Sequence, residues 1–284
     1  MDIDELNGKP KVWENFLVPY QDPIAADEYQ DEIYTYWKEL EMITLPNASY
    51  ATYQPELDWT MRKTLISWIV EVHSQFKLLP ETLYLTVNLI DRTLSAKTIS
   101  VSKLQLIGIA ALLISSKYEE ILSPSVMDLV YMSANTFHQE EILRAERHML
   151  MIIKYQIGYP NPLNFIRRLS KVEYLGKIDK TLWNLSNYFL ETILLHHIFI
   201  QYPSSHLAAS SYFLSLKVIY DTTWNTKHSL ASGYTEPQLL QCVYTLLDVL
   251  KRKERTAVYE KYTHDRFEQV SIKMEQFLKS KNMI

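Results

Sequence analysis

Apolar residues in this chain recur every three to four positions through most segments longer than ten residues, and no alternating pattern long enough for a useful strand interrupts them. A chain with that period buries its apolar faces by packing helix on helix, so the expected fold class is all-α. Proline then divides it. Pro19 and Pro23 precede the first periodic segment, Pro46 follows that segment, and the string YPNP at 159–162 interrupts the chain near its middle. Two folding units are implied, and 284 residues with 47% apolar content supply enough core for both. A weak internal repeat agrees: GIAALLISSK (108–117) realigns with AASSYFLSLK (208–217) at an offset of 100, each a small-residue helix that others could surround. The expected layout is a tail over 1–22, a helix within 23–45, a first bundle over 46–158 and a second over 159–284.

Several function classes are disfavoured by composition. Only five glycines occur, and neither glycine-rich phosphate cradle is present, so no nucleotide cofactor is expected. The single cysteine, Cys242, has no intramolecular partner, and no secretory leader pattern is found, which predicts an intracellular protein. The richest apolar run, 104–116, has core-helix length and not bilayer length, so no membrane association is expected. A net charge of −4 argues against nucleic acid, and the basic cluster at 251–255 reads as a solvated helix end.

Two helices carry chemistry that a plain core does not need. At about 100° per residue, Met61, Leu65, Trp68 and Val72 form one apolar stripe, while Ile66, Ile69, Val70 and Phe76 form a second. Either the helix is buried on two sides, or the first stripe floors a groove. Thr64 and Glu71 flank that stripe, and a carboxylate beside exposed apolar residues suits a peptide that carries a cation next to a hydrophobic side chain. Arg62 projects into the second stripe and needs a carboxylate there; Asp91, following the apolar run 83–90, is the candidate for a structural ion pair. In 139–154 the stripe of Ile142, Leu143, Met149, Leu150 and Ile153 has Glu146 inside it. A lone charge at such a place costs several kcal/mol, on the order of the penalty for burying any unpaired ion, so a cation must stand near. Lys117, ending the apolar run 104–116, is the best candidate; the bland reading is a helix-capping lysine and an unrelated salt bridge.

The strings MRKTLISWIVEV (61–72), 78–94 with Asp91-Arg92, KLQL (103–106) and SKYEE (116–120) together resemble a cyclin box, and YPNPLNFIRR (159–168) with GYT (233–235) resembles B-type cyclins, fungal ones in particular. The resemblance runs from about residue 22 to the end. It implies two tandem five-helix cyclin-box bundles preceded by an N-terminal helix. It also implies a non-catalytic regulatory subunit that pairs with a cyclin-dependent protein kinase as a heterodimer, serves S phase or G2/M, and works in nucleus and cytoplasm. Transferred residue by residue, Lys117 and Glu146 match the family's kinase-binding pair, with Ile33, Tyr118, Glu120, Leu150, Tyr155 and Ile157 on the same surface. Met61, Thr64, Leu65, Trp68, Glu71, Leu104 and Gln105 match the patch that recruits Arg-x-Leu substrates and inhibitors. Thr64, Ser67 and Thr93 depart from the family pattern. No Arg-x-x-Leu string occurs in the first sixty residues, which is the expectation for a fragment lacking a degron tail.

Two competing readings remain at this point. A transcription-type cyclin-fold protein contacting DNA or a transcription kinase would call for a basic face. An enzyme would use His196, His197 and His206 as ligands, or Ser205 and His206 as nucleophile and base; adjacent histidines on a helix diverge by about 100° and seldom share a metal, so no metal is expected.

Overall fold

A computed structural model describes residues 29–173 and 179–283. Among the described residues all regular structure is helical: thirteen α-helices and three short 3₁₀ turns. The expected tail 1–22 lies outside the described residues. The leading helix, α1, spans Gln30–Ile43.

The first bundle comprises α2 (Trp59–Phe76), α3 (Pro80–Ala96), α4 (Val101–Glu119), α5 (Val126–Met132) and α6 (Gln139–Ile152). Local signals set its boundaries. The Asp58 side chain accepts from the Met61 N–H to start α2, and Lys77 ends it in the left-handed region at φ 55°. Pro80 opens α3 at a position where its missing N–H costs nothing. Apolar on every side, α4 has no single packing face, and it becomes the axis of the bundle with α2, α3 and α6 around it. Gly108 is needed there: a Cβ at this position would stand 2.8 Å from Leu65 Cδ1 and 3.3 Å from Ile69 Cδ1, so glycine lets α2 lie close against α4.

The break at 159–162 falls between α6 and α7. Beyond it come α7 (Pro162–Glu173), α8 (Lys180–Leu194), α9 (Ser204–Tyr220), α10 (Thr226–Ser232) and α11 (Glu236–Lys251), with α9 as the buried axis among α7, α8 and α11. The internal repeat thus maps axis onto axis: 108–117 lies in α4 and 208–217 in α9. Two short helices extend this bundle, α12 (Ala257–Lys261) and α13 (Val270–Ser280). α13 packs on α8, and α12 touches both α8 and α2, bridging the two bundles.

α1 belongs spatially to the second bundle. Trp37 meets Phe165 edge-on at 5.8 Å, and the Tyr34 hydroxyl donates to the Ser232 carbonyl at 2.6 Å. Glu41, buried at the last turn of α1, accepts from the Ser205 N–H at 2.9 Å and from Lys38 at 2.7 Å.

Candidate functional site

Two of the acids singled out in sequence find the cations expected for them. Arg62 reaches from α2 to Asp91 near the end of α3 in a two-pronged pair, both N···O distances 2.7 Å. Its third nitrogen donates to the Leu194 carbonyl at the end of α8, and Tyr50 OH donates to Asp91 at 2.9 Å. Burial opposes the charge on Arg62, but the Asp91 carboxylate against it more than compensates, so its pKa is raised. The pair is closed to solvent and fastens the first bundle to the second.

The other acid is open to the surface. Glu146 is buried on α6 among Ile142, Met149 and Ile153, and its Oε1 accepts from Lys117 Nζ at 2.6 Å. Lys117 leaves the last turn of α4 with 47% of its side chain exposed, against 12% for Glu146. An ammonium has three donors, and the bond to Glu146 uses one of them.

Exposed apolar side chains stand beside the pair in sequence. Tyr118 and Tyr155 are largely exposed, Leu150 and Ile157 half-buried. Lys154 and Tyr155 are consecutive left-handed residues, φ 54° and 59°, which turn the chain sharply after α6 at a cost of about 1–2 kcal/mol each. A Cβ on Gly158 would lie 3.6 Å from Tyr118 OH, so the turn runs past the end of α4. Sequence reasoning missed Ile121 and Leu122, 89% and 86% exposed directly after α4, and Met151. The signal was available: two aliphatic residues follow the SKYEE string with no helical period to bury them.

Glu120 has a job that spacing did not suggest. Its Oε1 accepts from the Leu79 N–H at 2.7 Å and from the Thr82 hydroxyl, so it caps α3 from a distance. Glu119 beside it has a raised pKa, from burial first and then from the charges of Glu81 and Glu120. Ile33 sits half-buried on α1, which packs on α9 of the second bundle.

The patch of α2 and α4 is narrower than a fully open stripe. Leu65, Val72 and Leu104 are buried, because Gly108 lets α2 and α4 close on each other. Met61, Trp68 and Gln105 are half-buried, and Thr64 and Glu71 are exposed. Leu65 and Leu104 therefore lie at the floor, beneath the more exposed side chains. The second stripe of α2, Ile66, Ile69 and Val70, is fully in the core.

Ser205 and His206, adjacent in sequence, turn to different partners. The Ser205 hydroxyl is engaged with Glu41, Lys38 and Tyr234, whereas His206 Nε2 faces the Gln238 carbonyl and its ring stacks on Tyr202. His197 stacks flat on Trp59 at 4.4 Å, and His196, its pKa pushed down to about 4 by burial and nearby Lys63, lies elsewhere. Among the described residues no three His, Cys, Asp or Glu side chains gather as metal ligands.

Two helical bundles in tandem, each wound on a buried small-residue helix, are the fold of a cyclin. A viral cyclin from herpesvirus saimiri superposes with a TM-score of 0.67 over 76% of this chain and 95% of its own, at 21% identity. The cyclin N-terminal domain family matches residues 32–158 and the cyclin C-terminal domain family residues 160–276, and the chain belongs to the cyclin family. It is 42% identical over 91% of its length to the G2/mitotic-specific cyclin-B of Emericella nidulans and 41% identical over 93% to the G2/mitotic-specific cyclin cdc13 of Schizosaccharomyces pombe. In each case it spans 54% of the relative, about half. The match to the G2/mitotic-specific cyclin-B of Hydra vulgaris is 37% over 88% of this chain and 69% of that one.

Proposed function

We propose that this chain is the non-catalytic regulatory subunit of a cyclin-dependent protein kinase, gripping the kinase through the rim of its first bundle and serving S phase or G2/M in nucleus and cytoplasm. The observation that carries the reading is the half-exposed Lys117–Glu146 pair beside exposed Tyr118, Ile121, Leu122 and Tyr155. An apolar surface of this kind in a folded chain calls for a partner, and a fixed ion pair within it sets the partner's register.

Phosphoryl transfer depends on positioned groups, above all the kinase's own lysine–glutamate pair and its ordered activation segment. A rigid helical face that binds the active arrangement more tightly than the inactive one shifts the kinase toward activity, by an amount set by that difference in affinity. No residue of this chain needs to touch phosphate. Met61, Trp68, Thr64, Glu71 and Gln105 around the floor of Leu65 and Leu104 form the surface for Arg-x-Leu substrates and inhibitors, with Glu71 meeting the arginine.

The test is Lys117→Ala with Glu146→Ala, assayed with the purified kinase on a short peptide substrate. Activation is expected to fall by about a hundredfold, equivalent to about 2.7 kcal/mol of binding, while circular dichroism stays helical. Full activation by the folded double variant discards the grip. Lys117 and Glu146 are each other's ion-pair partners among the described residues, so removing both strands neither charge.

A further inference from the structure

Residues 120–125 join α4 to α5 outside any helix, and within them the exposed Ile121 and Leu122 run into the step Ser123-Pro124. Eleven prolines occur in the chain, and Pro124 is the only one that follows a serine or threonine. Proline biases the residue before it away from the helical region, so Ser123 is held toward an extended course. The backbone is extended on both sides of it, with Glu120 at φ −95°, ψ 147° and Ser125 at φ −70°, ψ 157°. An acceptor inside a helix must be unfolded locally before an enzyme's cleft closes on it, and Ser123 is spared that step.

The two serines of this segment differ. Ser125 belongs to the fold: its hydroxyl and its N–H donate to the Asp128 carboxylate at 2.6 and 2.9 Å, and its hydroxyl accepts from the Asp128 N–H at 3.1 Å, which closes the capping box of α5. Ser123 is exposed, and its hydroxyl meets no partner among the described residues. Modifying Ser125 would remove a cap, whereas modifying Ser123 breaks no described contact.

A phosphate on Ser123 would carry a charge of about −1.5 to −2. Along the chain its neighbours are Glu119, Glu120 and Asp128, and Lys117 is the one cation between 117 and 128. The new charge has two places to go. In water beside Ile121 and Leu122, it must be desolvated by any partner that covers them. Drawn to Lys117, it competes with Glu146 for the ammonium. Either way it opposes docking on this face.

We propose that Ser123 is a phosphorylation site for a proline-directed protein kinase, and that its phosphate blocks the partner face beside Lys117–Glu146. The second half rests on the gripping role proposed for that face. In the transfer, Ser123 Oγ bonds to the γ-phosphorus of ATP as the bond to the β–γ bridging oxygen breaks; the hydroxyl proton passes to the base of the modifying kinase, and ADP leaves. A docked partner in turn covers Ile121 and Leu122 and shields Ser123, so docking and modification exclude each other.

The test treats the full chain with ATP and a purified mitogen-activated protein kinase as the proline-directed enzyme. Mass spectrometry is expected to find one phosphate, on Ser123, lost in Ser123→Ala and reduced at least about tenfold in Pro124→Ala. Affinity for the purified cyclin-dependent kinase is expected to fall about tenfold or more on phosphorylation, to return on phosphatase treatment, and to be unmoved by the same treatment of Ser123→Ala. No phosphate, or phosphate only elsewhere, overturns the site. A phosphorylated chain that binds as before overturns the block, and so does one whose thermal midpoint collapses, since the loss is then unfolding. If the unmodified chain does not bind, the grip itself fails, which is told apart because it appears before any phosphate is added; the block falls with it, and the mass spectrum still decides the site.

Discussion

Arg62–Asp91 and Lys117–Glu146 each join partners 29 residues apart, each ties one helix of the first bundle to another, and they behave as opposites. Arg62 turns its bonds inward, to Asp91 and to the carbonyl of Leu194, and both side chains of the pair are almost fully buried. Lys117 has nearly half its side chain in water. The difference lies in where the helix carrying the cation ends. Arg62 is one turn into α2 and is covered by the second bundle, whereas Lys117 is in the last turn of α4, where the packing stops. A buried charge that uses all its bonds at home holds a fold together. One at a rim, half satisfied by solvent, is available to a partner.

That contrast can be broken at several points, the closed pair first. Asp91→Ala strands the Arg62 guanidinium and is expected to cost about 3–5 kcal/mol in urea unfolding, whereas Arg62→Met with Asp91→Leu should cost far less, because no lone charge remains. If both variants lose the same amount, the pair is not acting as a unit.

Acidity sharpens the comparison next. His73 is buried at the end of α2, donates through Nε2 to the Leu79 carbonyl at 2.8 Å, and has its pKa pushed down to about 3 by burial first and by Lys261 second. It stays neutral in the fold but takes up a proton in the unfolded chain below about pH 6.5. Because the unfolded state binds more protons, stability falls as pH drops through that window, by about 1.4 kcal/mol per pH unit, and rises again on return to neutrality. His73→Gln should flatten the slope between pH 6.5 and 5, read from urea midpoints; an unchanged slope would assign the acid sensitivity elsewhere, with His196 the next candidate.

On the open side, Met61→Ala with Trp68→Ala should weaken phosphorylation of Arg-x-Leu-bearing substrates about tenfold and spare a short peptide without the motif. Equal loss on both substrates would mean that the core under the patch has collapsed. The smallest effect is expected at the rim pair itself: Lys117→Ala with Glu146→Ala should change unfolding free energy by no more than about 1 kcal/mol, since one partner is half solvated. A loss comparable to that of Asp91→Ala would make the two pairs structural alike.

How much of this was legible varies residue by residue. The two axial helices could be read directly, because a helix apolar on all sides has nowhere to go but the middle. Glu146 stood out for the same reason: one acid inside an apolar stripe is a local contradiction, visible without neighbours. Glu120 carried no such mark. Its role as the cap of α3 depends on a helix N-terminus that lies some forty residues away in sequence. Nor could spacing show how far Leu65 and Leu104 are covered, since that rests on how closely Gly108 lets two helices approach.

The sequence alone determined the all-helical class, the division near 159–162, the two small-residue axes and the need of Arg62 and Glu146 for opposite charges. Those are consequences of period and composition, which act over a few turns of one helix. Tertiary structure decided which side of each helix meets water, that α1 lies with the second bundle, and that Asn184, Asn187, Glu191 and His73 converge on one cleft. Exposure and convergence belong to pairs of surfaces brought together from distant parts of the chain, and no local pattern encodes the distance between them.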